Sequence, residues 1–148
     1  MNSPFFFRGK KMIDDNRYKH IRGVAELMAE IAPKGKEKEM FLLGMLHDIG
    51  YLYQPKDHNF LGGNLLKEQG YQYWPEVYWH GVPDAEYTSE ALDLLNSADM
   101  QVNGKGERVS YAERLEDICT RYGNDSPQYI LAEKMVRYLE AKGLHSLK

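Results

Sequence analysis

The sequence predicts an all-α protein, a compact bundle of about six or seven helices. Three observations carry that reading. Apolar residues recur at spacings of three and four through most of the chain. Ser, Pro and Gly stand where helices start and stop. No alternating apolar and polar stretch is long enough to make a useful strand. At 148 residues the expectation is a single domain over 1–148, with a core at about 14–123 and a C-terminal helix at about 127–142.

The first helix is expected from Asp14 to Ala32, where Val24, Leu27, Met28 and Ile31 form one stripe and Pro33 with Gly35 ends it. His20 lies four residues before Val24 and therefore points inward. A second helix is expected from Lys36 to Ile49, apolar nearly all round at Phe41 to Leu46, with Gly50 as its stop and His47-Asp48 at its buried end. A loop from Tyr51 to Asp57 precedes a third helix carrying Phe60, Leu61, Leu65 and Leu66, with His58 at its start. Pro75 opens a short fourth helix that His80 ends before Gly81. Ser89 caps a fifth, on which Leu92, Leu95 and Asp99 share a face, so the carboxylate is carried inward. Ser110 and Glu113 have capping-box spacing before Leu115, Ile118, Cys119 and Tyr122, and Ser126-Pro127 opens a last helix with Leu131, Met135, Tyr138 and Leu139 inward.

The formal charge of −3 leaves no basic surplus to draw the whole protein to nucleic acid. The longest apolar segment, Met40 to Leu46, is far short of a bilayer span, and the basic residues of Met1 to Met12 follow the Phe5-Phe6-Phe7 run, unlike a signal peptide. Cys119 has no partner cysteine, which fits a reducing compartment, so a cytoplasmic protein without membrane or nucleic-acid partners is expected.

A lone inward His is more often a hydrogen-bonded core residue than a ligand, and an Asp at a helix end is usually a cap. The joint pattern differs. Four of the five histidines, His20, His47, His58 and His80, fall on inward faces or helix ends, together with Asp48 and Asp99. Two buried acids are costly without a cation. Imidazole nitrogen with carboxylate oxygen suits divalent Fe, Mn, Co, Ni or Zn, and the lack of clustered thiolates argues against a structural zinc site.

In this order, His20, then His47-Asp48 within Leu43-Gly44-Met45-Leu46-His47-Asp48-Ile49-Gly50, then Asp99, the chain resembles the H…HD…D signature of HD-domain phosphohydrolases over roughly Arg17 to Gly123. The resemblance implies that His20, His47, Asp48 and Asp99 bind one metal. His58 and His80 resemble the two extra histidines that hold a second, with Asp48 bridging both. The segment Arg17 to Val24 is similar to that of bacterial symmetrical dinucleoside tetraphosphate hydrolases. One departure is Tyr51, where many family members carry a lysine. Arg17, one turn before His20, and Lys56 are the alternative phosphate contacts, each also readable as a surface charge.

The activity implied is hydrolysis of a phosphomonoester or phosphoanhydride, expected to be a nucleotide, by metal-activated water, with one or two divalent ions. Asp48, Asp99 and Arg17 are the candidate catalytic groups, Asp99 as a proton acceptor. Tyr51, Tyr53, Tyr73, Trp74, Tyr78 and Trp79 offer either a base-stacking surface or a rim to the core. A non-catalytic nucleotide-binding sensor and a di-iron oxygenase on the same scaffold are the alternatives, and a homodimer is left open.

Overall fold

The computed structural model describes residues 6–7, 10–11 and 13–147. Phe5 and most of Met1 to Met12, on which the signal-peptide reading fell, lie outside them. Seven α-helices make up the described chain: α1 (Asp15–Ile31), α2 (Glu37–Leu46), α3 (His58–Glu68), α4 (Trp74–Trp79), α5 (Glu90–Asp99), α6 (Tyr111–Tyr122) and α7 (Pro127–Ala141). A 3-10 turn, Ile49–Leu52, joins α2 to the loop before α3. The chain is all-α as expected, apart from a two-residue hairpin in which β1 (Phe6–Phe7) pairs antiparallel with β2 (Lys10–Lys11). No helix among the described residues is long and apolar enough to cross a membrane.

Helix starts follow the local chemistry. The side chains of Asp14, Ser89, Ser110 and Ser126 accept from backbone N–H groups of α1, α5, α6 and α7, and Ser110 with Glu113 completes the capping box.

The apolar interior has two parts. The larger joins Val24, Leu27 and Met28 of α1, Met40 and Leu43 of α2, Leu66, Val77, Leu95 and Ala98. Burying a side chain such as Leu43 contributes about 1.5–3 kcal/mol. The smaller holds Met100, Tyr111, Ala132, Met135, Val136 and Leu139 under α6 and α7.

Three expectations are corrected here. The second helix stops at Leu46, three residues early, because His47 and Asp48 already form the turn that leads into the 3-10 segment. Gly50 is therefore no helix stop. It is buried where the chain passes the start of α3, and a Cβ there would overlap the carbonyl oxygen of His58. On α7 Met135 and Leu139 are buried as expected and Tyr138 is half-buried, but Leu131 is exposed, and Ala132 and Val136 take the buried face in its place. Tyr122, expected inward on α6, is exposed as well, at the last residue of that helix.

Candidate metal centre

Each histidine of the centre is held by the backbone. His47 occupies the C-cap of α2 and donates Nδ1–H to the Gly44 carbonyl at 2.6 Å. His80 occupies the C-cap of α4 and donates Nδ1–H to the Val77 carbonyl at 2.6 Å. Both carbonyls belong to last turns, which have no intrahelical donor of their own. His58, the first residue of α3, donates to the Pro55 carbonyl at 3.1 Å, and His20, in α1, to the Asn103 carbonyl at 3.2 Å. A carbonyl can only accept, so all four Nδ1 atoms carry the proton.

Their Nε2 atoms converge on two carboxylates. Asp48 Oδ1 lies 3.1 Å from His58 Nε2 and 3.2 Å from His80 Nε2. Asp48 Oδ2 lies 3.3 Å from His47 Nε2 and 3.8 Å from His20 Nε2. Asp99 Oδ1 lies 2.8 Å from His20 Nε2 and 3.5 Å from His47 Nε2. The side chains of His20, His47, Asp48 and His80 are essentially closed to solvent, whereas His58 and Asp99 are about a quarter exposed, at 23% and 22%.

With Nδ1–H committed, a neutral ring presents a lone pair at Nε2, and a lone pair 3 Å from a carboxylate oxygen is repulsive. Either the rings take a second proton or a cation stands between the two sets of atoms. His47 makes the point most clearly: its Nε2 is buried and has no hydrogen-bond partner. Full burial pulls its pKa down, but the charges of Asp48 and Asp99 push it up to about 10. Burial pushes Asp48 and Asp99 up, and the facing histidines, His47 foremost for Asp48 and His20 for Asp99, hold both well below the usual carboxylate range. His20, His47 and Asp99 form one group with ligand-competent atoms within 4.8 Å of one another, and His47, Asp48 and His80 form another. The donor set fits a divalent metal.

Arg17 closes the remaining side. Its guanidinium donates to Asp48 Oδ2 at 2.9 Å and lies over the Tyr51 ring, 4.0 Å from the centroid. Burial lowers its pKa, and Asp48, Tyr51 and Asp99 more than restore it. The Tyr51 ring also packs on His58, with centroids 4.2 Å apart.

The structure thus brings His20, His47, Asp48, His58, His80, Asp99 and Arg17 together. Lys56 is exposed, and the contact recorded for it is its carbonyl accepting from Gln54 Nε2. Of the aromatic residues, Tyr51 joins the site, while Tyr73 and Trp74 pack against the main core. Tyr73 also donates to Glu39 at 2.6 Å, and Tyr53 stands 65% exposed.

A cleft of about 340 Å³ opens beside His58, His80 and Asp99 and is walled by Asp57, Phe60, Val82, Pro83 and Leu131. Sequence reasoning did not find these wall residues. The carbonyls that hold the rings were not readable either, since any residue type supplies one.

Residues 17–120 match the family model for the HD domain. No curated protein and no solved structure matches the chain significantly.

Proposed function

We propose that this chain, which belongs to the HD-domain family, is a metal-dependent phosphohydrolase that cleaves a phosphomonoester or phosphoanhydride, a nucleotide being the preferred class. HD domains are typically metal-dependent hydrolases. The observation that carries the reading is the proton count at the centre. Four rings have given their Nδ1 protons to backbone carbonyls, and their Nε2 atoms face two carboxylates.

His20, His47, Asp48 and Asp99 would hold one divalent ion, and His58 and His80 with Asp48 a second. That grouping is supported by Asp48 Oδ2 lying near His47 and His20 while Oδ1 lies near His58 and His80. Bound cations supply Lewis acidity, polarising a phosphoryl oxygen and making water nucleophilic near neutral pH.

The remaining roles belong to the chain. Asp99, at the exposed edge of the cluster, accepts a proton from the attacking water. Arg17, 29% exposed beside Asp48, donates to a phosphoryl oxygen and stabilises charge developing there. Tyr51 orients that guanidinium from below. Hydrolysis forms one bond from the water oxygen to phosphorus and breaks the bond to the leaving oxygen, which takes up the water's proton. Lys56 has weaker support as a phosphate contact than Arg17, whose guanidinium is held against Asp48 in the centre.

The test is metal content of the purified protein together with phosphate release from mono- and dinucleotides after Mn, Co, Ni or Fe is added. Metal bound and phosphate released, under anaerobic conditions too, is the expected result. A protein that binds metal and hydrolyses none of the panel would sink the proposal, and activity that requires oxygen would point to the oxygenase.

A further inference from the structure

The walls of the cleft point to a narrower substrate, and this inference rests on the hydrolase reading above. We infer that the substrate is a phosphomonoester with a single phosphoryl group and an uncharged, largely apolar alcohol part of nucleoside size, and that Asp57 selects against further phosphates.

His58 and Asp99 are the partly exposed members of the centre that line the cleft, with Arg17 29% exposed beside Asp48, so the reacting phosphoryl group enters from the cleft. Beyond it the cleft runs past Phe60, Val82, Pro83 and Leu131, an apolar wall, and past the carboxylate of Asp57. The Phe60 ring is fixed by Tyr78 and Trp79, with centroids 4.9 Å and 6.4 Å away, so it presents a firm surface to a flat or apolar group. At about 340 Å³ the cleft lies within the ~300–1,000 Å³ range of small-molecule sites.

Asp57 is built for this position in two ways. Its φ of 56° puts it in the left-handed region, which Asp and Asn tolerate better than most side chains. Although it is the N-cap of α3, its side chain makes no capping hydrogen bond and remains exposed at the lip of the cleft. Asp57 lines the cleft without giving its carboxylate to the helix end. A second or third phosphate would lie between that carboxylate and an apolar wall, where it meets like charge and loses water without gaining a donor. A nucleoside meets neither penalty. The apolar wall also sets a preference among monoesters, favouring a nucleoside over a bare sugar.

The experiment compares kcat/KM of the metal-loaded protein for a nucleoside 5′-monophosphate, its diphosphate and its triphosphate, and for ribose 5-phosphate. The same panel is run on Asp57→Asn, a side chain that tolerates the same backbone conformation. Wild type is expected to prefer the monophosphate over the triphosphate by about tenfold or more, and Asp57→Asn to narrow that ratio by about fivefold. Raising ionic strength should narrow the wild-type ratio in the same direction.

Equal or faster cleavage of the triphosphate, or a ratio that neither the substitution nor salt changes, overturns the inference and leaves the hydrolase reading standing. Ribose 5-phosphate cleaved as well as the nucleotide overturns the nucleoside part. Phosphate released from no member of the panel overturns the inference, and the hydrolase reading falls with it only when the dinucleotides are left intact as well.

Discussion

Helix α5 carries two aspartates six residues apart, Asp93 and Asp99, and the protein treats them in opposite ways. Asp93 is 8% exposed and accepts the Tyr138 hydroxyl at 2.9 Å on one oxygen and Lys142 Nζ at 3.2 Å on the other. Glu76, nearby in the fold, resembles Asp93 in this respect: its Oε2 accepts from the Tyr87 and Ser89 hydroxyls at 2.8 Å and 2.7 Å. Both acids are supplied with protons by the chain itself. Asp48 has one such donor, Arg17 on Oδ2, but its Oδ1 and the Asp99 carboxylate face imidazole Nε2 atoms of rings whose Nδ1 protons are already spent on carbonyls. Burial therefore does not distinguish a structural acid from a ligand. The count of protons available to it does.

The largest effect that sharpens this contrast is expected from Asp48→Ala. Metal content should fall to background and phosphate release by about 10³-fold or more, as when a group central to transition-state charge is removed. Asp93→Asn should leave metal content at the wild-type level, which elemental analysis of the two variants decides side by side. Loss of metal from Asp93→Asn would break the comparison.

Next comes Gly50→Ala, because the added methyl overlaps the His58 carbonyl and the turn must shift. A loss of about 1–3 kcal/mol, the usual range for overpacking, should appear in thermal or urea melts, with weaker metal binding because His58 moves with that turn. A stable Gly50→Ala protein with unchanged metal affinity would show that the approach of the turn to α3 does not set the position of His58.

A third expectation concerns protons. In the metal-free protein His47 keeps its proton until about pH 10. Its folded pKa lies above the unfolded value of about 6.5, so its contribution to stability is complete below about pH 6.5 and is lost as the pH rises toward 10. Metal must displace that proton, so binding at pH 7 should release about one proton per chain or more and tighten as the pH rises. Calorimetry in two buffers of different ionisation enthalpy measures it; binding without proton release would refute the assignment. The smallest effect is expected from Asp93→Asn on stability, about 1–3 kcal/mol for a disturbed buried hydrogen-bonded acid, read from the same melts.

Local chemistry made much of this molecule legible. Ser89, Ser110 and Ser126 cap the helices they were expected to cap, because capping depends on the three residues that follow. His20, His47, His58, His80 and Asp99 were found from helical phase and helix ends. What failed depended on the neighbours. Gly50 has the sequence context of a helix stop, and only the passage of α3 shows its use. On α7 two apolar stripes competed, and only the fold shows that Ala132 and Val136 join the smaller cluster while Leu131 walls the cleft. Asp93 and Glu76 carry no sequence sign of burial, since their donors Tyr138 and Tyr87 are 45 and 11 residues away.

The four ring-to-carbonyl bonds have a consequence for which ion the centre would admit. Because the main chain fixes the rings, the ligand atoms are in place once the chain has folded, and no rearrangement is needed to admit an ion. Such a site, with mixed nitrogen and oxygen donors, sorts first-row metals chiefly by their general affinity order, which differs little from one protein to another. Its occupant is then decided by supply: the same polypeptide would take up one metal in a manganese-rich cell and another in an iron-rich one, and its metal content would report on the cell that made it.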